Sequence, residues 1–124
     1  MSRPSGDYSK KRLWGIVRIE LHARAFQIHR MHYVYILTNR KHGALYTGVT
    51  GALAMRIYQQ RRGEGSGFVR EHKLFRLVCV LPFESASEAF THEKRLKKWR
   101  RSWKIQLVER DNPDWRDLYE DILL

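Results

Sequence analysis

Tyr33-Val34-Tyr35-Ile36-Leu37-Thr38-Asn39, then Arg40-Lys41-His42-Gly43, then Ala44-Leu45-Tyr46-Thr47-Gly48-Val49-Thr50 is the stretch on which the reading of this chain turns. Two runs rich in β-branched and aromatic residues flank a polar turn that contains a glycine, the pattern of a β-hairpin. With the loop centred between Lys41 and His42, Leu37 faces Tyr46 and Tyr35 faces Gly48. Side chains alternate along a strand, so Tyr35 and Tyr46 fall on one face as diagonal neighbours. Gly48 has no side chain to set opposite Tyr35 and is expected to leave a gap where a ligand can reach the sheet. The same residues also describe an ordinary hairpin whose tyrosines pack a core, and the hairpin by itself leaves both readings open.

Outward from the hairpin, Gly51 to Arg62 reads as a helix with Leu53, Ile57 and Gln60 at helical spacing and Arg56 beside that row. Gly63-Glu64-Gly65-Ser66-Gly67 ends it as a loop, and Phe68 to His72 makes one further helical turn. Leu74 to Phe83 is continuously apolar at its centre and reads as a buried third strand, with Pro82 setting its end near an edge. Ser85 or Ser87 caps a helix expected to run to about Arg101, in which Ala86, Ala89, Phe90, Glu93 and Leu96 form a single buried stripe. An ionised Glu93 in that stripe is costly unless a cation or several donors compensate it. A structural salt bridge to Arg56 or a lysine would do so, and so would a bound metal ion. The rest of the helix, Lys94-Arg95-Leu96-Lys97-Lys98-Trp99-Arg100-Arg101, is either a solvated charged face or a phosphate-binding one. Trp103 to Arg110 reads as another helix, stopped by Asn112-Pro113 because the residue before proline avoids the α region. Asp114 to Leu124 closes the domain with Trp115 and Leu118.

The chain is long enough for one domain with a real core and too short for two comfortable ones. Its 24 Lys+Arg against 13 Asp+Glu give a formal charge of +11. Residues 1–30 hold seven basic and two acidic residues, and residues 31–124 hold 17 and 11. The excess thus persists without the N-terminal segment and points to a polyanionic partner. Four tryptophans and six tyrosines among these cations favour nucleic acid, since aromatic faces stack on bases. The lone Cys79 sits in an apolar run, has no partner for an internal disulfide and suits a reducing cytoplasm. No apolar run approaches the roughly 20 residues that span a bilayer, so no membrane partner is expected, and no stretch reads as a signal peptide. There is no Cys/His zinc spacing, Gly-rich phosphate loop or internal repeat. Residues 1–30 are expected to be a basic, poorly ordered extension, with Met31 a natural start for the domain spanning 31–124.

Tyr33-Val34-Tyr35, Tyr46-Thr47-Gly48, Arg56 ten residues after Tyr46, Glu93 in its Glu-Lys-Arg-Leu-Lys-Lys-Trp helix, and Asn112-Pro113 form an ordered set. That set resembles the GIY-YIG nuclease superfamily, in particular the small stand-alone bacterial members that resemble the N-terminal nuclease domain of the excision-repair endonuclease. The resemblance covers about residues 32–118. It implies an α/β domain, a three-stranded antiparallel sheet flanked by helices, and a phosphodiester-cleaving site built around one divalent metal, Mg²⁺ or Mn²⁺. Carried over by position, Tyr35 and Tyr46 match the motif tyrosines, Arg56 the family arginine, Glu93 the metal-binding glutamate and Asn112 a family asparagine near the site. Tyr33 replaces the first-motif glycine, Thr47 the central isoleucine of the second, and Gln60 stands where related sequences often carry histidine.

The residue types suit that chemistry. Mg²⁺ binds through one or two carboxylates and keeps several waters, so Glu93 suffices as an anchor. Arg56 offers paired donors to a phosphate. Tyr35 can take a proton from water only if its pKa falls well below about 10, and a nearby cation and Arg56 push it that way. Tyr35, Tyr46, Arg56 and Glu93 are expected around one pocket on one side of the sheet, with Lys94, Lys97, Lys98 and Arg101 binding nucleic acid, DNA above all. The first reading is a metal-dependent DNA endonuclease, structure-specific in repair or recombination. The second is a non-catalytic nucleic-acid-binding module on the same fold.

Overall fold

The expected hairpin register is the register found. In the computed structural model, which describes residues 31–123, β1 (His32–Thr38) and β2 (Leu45–Thr50) pair antiparallel with Tyr35 opposite Gly48 and Leu37 opposite Tyr46. The expected extension over residues 1–30 lies outside the described residues. The connecting loop is closed by a 2.8 Å bond from Gly43 N to the Arg40 carbonyl. His42 occupies the left-handed region there, at φ 58°, a conformation that histidine tolerates better than bulkier residues do.

β3 (Arg76–Phe83) lies on the other side of β1, so the order is β2-β1-β3 with both pairings antiparallel. Pro82 is accommodated because β3 is an edge strand and need not donate outward. The β1–β3 register skips Val78 between the Ile36–Cys79 and Leu37–Leu77 pairs, which marks a bulge.

β1 is central, and helices cover it on both faces, so its alternating side chains seed two cores. Tyr33, Tyr35 and Leu37 meet Leu53 and Ile57 of α1 (Leu53–Arg61), Val69 of α2 (Gly67–His72), and Leu74. Val34 and Ile36 meet Ala89 and Leu96 of α3 (Ala86–Lys98), Leu107 and Val108 of α4 (Arg101–Asp111), and Trp115. Full burial of Ile36 or Leu37 contributes about 1.5–3 kcal/mol each by removing apolar surface from water. A last short helix, α5 (Tyr119–Ile122), adds Ile122 to the first core.

The α/β class, the three strands and the cap at Ser85 agree with the sequence reading; Ser85 Oγ accepts from Glu88 N at 3.3 Å. Two details differ. The third long helix does not reach Arg101: Trp99 and Arg100 are both extended, and α4 starts afresh at Arg101. This break lets Trp99 pack on the Val34–Ile36 core. It also lets Arg101 donate to the carbonyls of His42 and Gly43 at 2.6 and 2.7 Å, tying the hairpin loop to α4. Phe90 is not part of the buried stripe. The sheet covers the Ala89–Leu96 row, and Phe90, about 100° round the helix from Ala89, is left 52% exposed.

Candidate active site

Gly48 sets where Tyr35 lies. A Cβ built at that position would overlap the phenol end of Tyr35, so the ring rests directly on the glycine backbone. The gap expected there for a ligand is therefore filled from within by Tyr35 itself. Tyr46, the diagonal neighbour, is half-buried, and its ring centre lies 6.4 Å from that of Tyr35 with a 45° tilt. α1 covers the same face. Its inward row is Leu53, Ile57 and Gln60, as the spacing implies, and Arg56 stands beside it, half-buried. Among the described residues no ion pair or hydrogen bond takes up the Arg56 guanidinium.

Gln60 is 2% exposed. Its Nε2 donates to the Tyr35 hydroxyl at 3.5 Å, a long and weak bond, while its Oε1 is buried without a partner. A second buried oxygen without a partner, Thr47 Oγ1, lies on β2 beside Gly48. Buried polar atoms left unbonded are uncommon in folded proteins and call for a reason.

Glu93 approaches from α3, the helix that packs on the opposite face. Its side chain is only 12% exposed, and Oε2 pairs with Lys97 Nζ at 2.6 Å, one turn on. The lysine of the two expected structural partners is thus the one found, and Arg56 is not. Even so, the Glu93 charge acts on the Tyr35 phenol. Tyr35, Tyr46 and Arg56 come from the α1 side and Glu93 from the other, so the group wraps the β2 edge of the sheet instead of sharing one side.

Four neighbours and burial together set the Tyr35 pKa. Desolvation, the largest influence, raises it above the ordinary phenol value; the Gln60 bond lowers it, Tyr46 raises it, Arg56 lowers it and Glu93 raises it. Arg56 therefore pushes in the expected direction, but the net direction is upward. As it stands Tyr35 is a protonated phenol at neutral pH, a donor and not a base.

Asn112 stands apart from this group. Its Nδ2 donates to the carbonyls of Val78 at 3.2 Å and Arg116 at 2.8 Å, and its Oδ1 accepts from Arg116 N at 3.0 Å. Val78 is the residue that the register skips, so Asn112 satisfies the bulge carbonyl of β3, on the far side of β1 from Tyr46. Of the basic residues, Lys94 and Lys98 are exposed, Lys97 holds Glu93, and Arg101 is committed to the hairpin loop. The Gln60–Tyr35 bond and the Lys97–Glu93 pair were not readable as contacts. Only the placement of Gln60 in the buried row and the four-residue spacing of Glu93 and Lys97 hinted at them.

Among the described residues no three His, Cys, Asp or Glu side chains cluster as a metal cage. The donor set fits a hard cation held by one carboxylate and otherwise by water: Glu93 is largely shielded, its charge reaches the Tyr35 phenol, and among the described residues it is balanced by a half-exposed lysine. It does not fit a zinc site of several protein ligands. No helix among the described residues is long and apolar enough to cross a membrane.

The chain is 38% identical over 78 residues to the UPF0213 protein of Oceanobacillus iheyensis, spanning 63% of this chain and 90% of that one. It is 42% identical over 77 residues to the UPF0213 protein of Halalkalibacterium halodurans, spanning 62% and 81%, and 40% identical over 78 residues to that of Clostridium perfringens, spanning 63% and 83%. A solution NMR structure of the UPF0213 protein from Bacillus halodurans is 36% identical and covers 73% of this chain and 95% of that one, with a TM-score of 0.46. The family model described as the GIY-YIG catalytic domain matches residues 31–106. With that match extending over more than half of its length, the chain belongs to the GIY-YIG family of nucleases.

Proposed function

We propose that this protein is a divalent-metal-dependent endonuclease that hydrolyses phosphodiester bonds in DNA and is selective for DNA structure. The observation that carries the reading is that Tyr46, whose ring lies 6.4 Å from that of Tyr35, and the charges of Arg56 and Glu93, from three separate elements, all act on the Tyr35 phenol. A binding surface has little use for a shielded carboxylate beside a polyanion, whereas hydrolysis of a phosphodiester does.

Each side chain has a role suited to its state. Arg56, without a bonded partner among the described residues, presents a planar fork to two non-bridging phosphate oxygens and stabilises the charge that grows on them. Tyr46 orients the attacking water by a hydrogen bond. Tyr35, protonated in the resting protein, donates to an oxygen of the phosphate and is held in place by Gln60 and the Gly48 backbone. Glu93 would hold the cation, releasing Lys97 to the phosphate backbone. When bound, Mg²⁺ or Mn²⁺ supplies positive charge against the developing anion. With its charge compensated, Glu93 would no longer add to the rise in the Tyr35 pKa, but burial and Tyr46 still hold it above the ordinary phenol value against the pull of Gln60 and Arg56, so Tyr35 stays a hydrogen-bond donor.

The second reading, a non-catalytic nucleic-acid-binding module, draws on the raised Tyr35 pKa and on Gln60, which cannot transfer protons. Incubating supercoiled plasmid with the protein, with Mg²⁺ or Mn²⁺ and with chelator, decides between them. Metal-dependent nicking is expected; shifted but intact plasmid under every condition supports the module instead.

A further inference from the structure

Four aromatic rings run in sequence from the buried phenol to the surface. Tyr35 and Tyr46 lie 6.4 Å apart, Tyr46 and Phe68 stack at 6.4 Å with 28° between planes, and Phe68 and His72 lie 4.4 Å apart. The outer rings are not needed to anchor α2. Val69, 1% exposed, and Leu74, fully buried, do that, and Ser66 Oγ caps the helix by accepting from Phe68 N. Phe68 nevertheless keeps 45% of its surface in water. A large apolar ring held in water and stacked on a site tyrosine is the composition of a base-stacking platform, in which exposed rings take base faces.

We propose that the Tyr46–Phe68–His72 row is a stacking lane for unpaired bases next to the phosphate held at the Tyr35 site, so that the preferred substrate is single-stranded DNA. A paired base has both faces covered by its neighbours in the duplex and cannot enter such a lane without unstacking. The inference rests on the nuclease reading for its location beside that site, but its test does not require cleavage.

The test is equilibrium binding, by fluorescence anisotropy in chelator, of a labelled single-stranded oligodeoxynucleotide of about 16 nucleotides and of the same sequence as a duplex. Phe68→Leu keeps the apolar bulk and removes the ring, so the fold is retained, as an unchanged melting temperature will confirm. Its affinity for the single strand is expected to fall roughly tenfold or more, with duplex affinity unchanged and Phe68→Trp restoring the wild-type value. Tyr58→Leu is the control, since Tyr58 is also exposed but is bonded to Arg62 at 3.0 Å on the outer side of α1; it is expected to bind normally. Quenching of a 2-aminopurine base in the single strand, lost in Phe68→Leu, reports stacking directly. Equal losses for single strand and duplex, equal losses in Phe68→Leu and Tyr58→Leu, or no loss at all would each overturn the lane. Ring-dependent single-strand binding by a protein that never nicks DNA keeps the lane and removes the nuclease reading. Metal-dependent nicking together with normal binding by Phe68→Leu does the reverse.

Discussion

The two edges of this small sheet are built from similar residue types and used in opposite ways. At the β3 edge, polar side chains are consumed by the protein. Asn112 makes three bonds, Asp117 Oδ1 accepts from Leu77 N and Tyr119 N at 3.1 Å each, Asp117 also pairs with Arg61, and Leu118 N closes on the Leu77 carbonyl at 2.8 Å. An exposed strand edge is thereby covered. At the β2 edge, among the described residues, Arg56 has no bonded partner, Tyr35 has one long hydrogen bond, and Glu93 has a single lysine. Among the described residues each edge leaves two buried atoms unbonded, Arg61 Nε and Asp111 Oδ1 on one side and Thr47 Oγ1 and Gln60 Oε1 on the other. The difference lies in the charged groups around them. One edge gains stability from its polar residues, and the other holds them ready for something that is not protein.

The comparison is most exposed at Arg56. Arg56→Ala is expected to slow cleavage on the order of a hundred- to a thousandfold, as removal of a transition-state donor does, with the melting temperature unmoved because no bond within the protein is lost. A fall in melting temperature with proportionate loss of activity would make Arg56 a structural residue and erase the contrast. At the other edge, Asn112→Ala is expected to cost about 2–4 kcal/mol in urea unfolding, since it orphans the Val78 carbonyl and two groups of Arg116. Below its melting temperature the variant should cleave normally. Lost turnover in the folded variant would bring Asn112 into the site after all.

These residues also show what could be read in the chain. The register was legible because a symmetric loop between Thr38 and Leu45 leaves one pairing that puts the apolar faces together, and the same spacing buried Leu53, Ile57 and Gln60. Arg56 and Glu93 were legible as candidates because a guanidinium and a carboxylate beside or within an apolar row need a reason. Asn112 was not, as its bonding depends on a bulge at Val78, a contact 34 residues away that no local pattern announces. The break at Trp99–Arg100 carries no glycine or proline; it is imposed by Trp99 packing and by the reach of Arg101 to the hairpin loop. Tyr35 filling the space over Gly48 follows from a rotamer, which strand alternation does not specify.

Alkaline titration sharpens the comparison at the level of the cores. The buried Cys79 thiol on β3 is pushed up to about 12 by desolvation, with the Asp111 charge adding to the rise, from an ordinary value of 9.0. Its stabilising contribution is fully present below pH 9 and is lost as pH rises toward 12, amounting to about 2 kcal/mol by pH ~10.5. Tyr35, also raised, adds a loss beginning above about pH 10. Unfolding followed against pH should therefore show an alkaline decline that Cys79→Ala flattens from its lower end and Tyr35→Phe from its upper end. An unchanged decline in Cys79→Ala would remove the thiol as its source. The smallest effect is expected on the solvated face: neutralising Lys94 and Lys98 should reduce the slope of log affinity for DNA against log salt by about 1–2 units and leave stability within ~0.5 kcal/mol. An unaltered salt slope would place the phosphate backbone elsewhere.

Glu93→Gln tests the central claim most directly, by cleavage and melting measured on one preparation. The Lys97 pair joins neighbouring turns with the lysine half in water, and an amide of the same shape can still accept a hydrogen bond from it, so the melting temperature should hardly change. Removing a negative charge that faces a polyanion should leave binding of uncut DNA equal or tighter, while turnover with Mg²⁺ or Mn²⁺ falls on the order of a thousandfold. A folded Glu93→Gln protein that cuts at the wild-type rate would contradict the account, because the β2 edge would then be only a surface with unbonded groups.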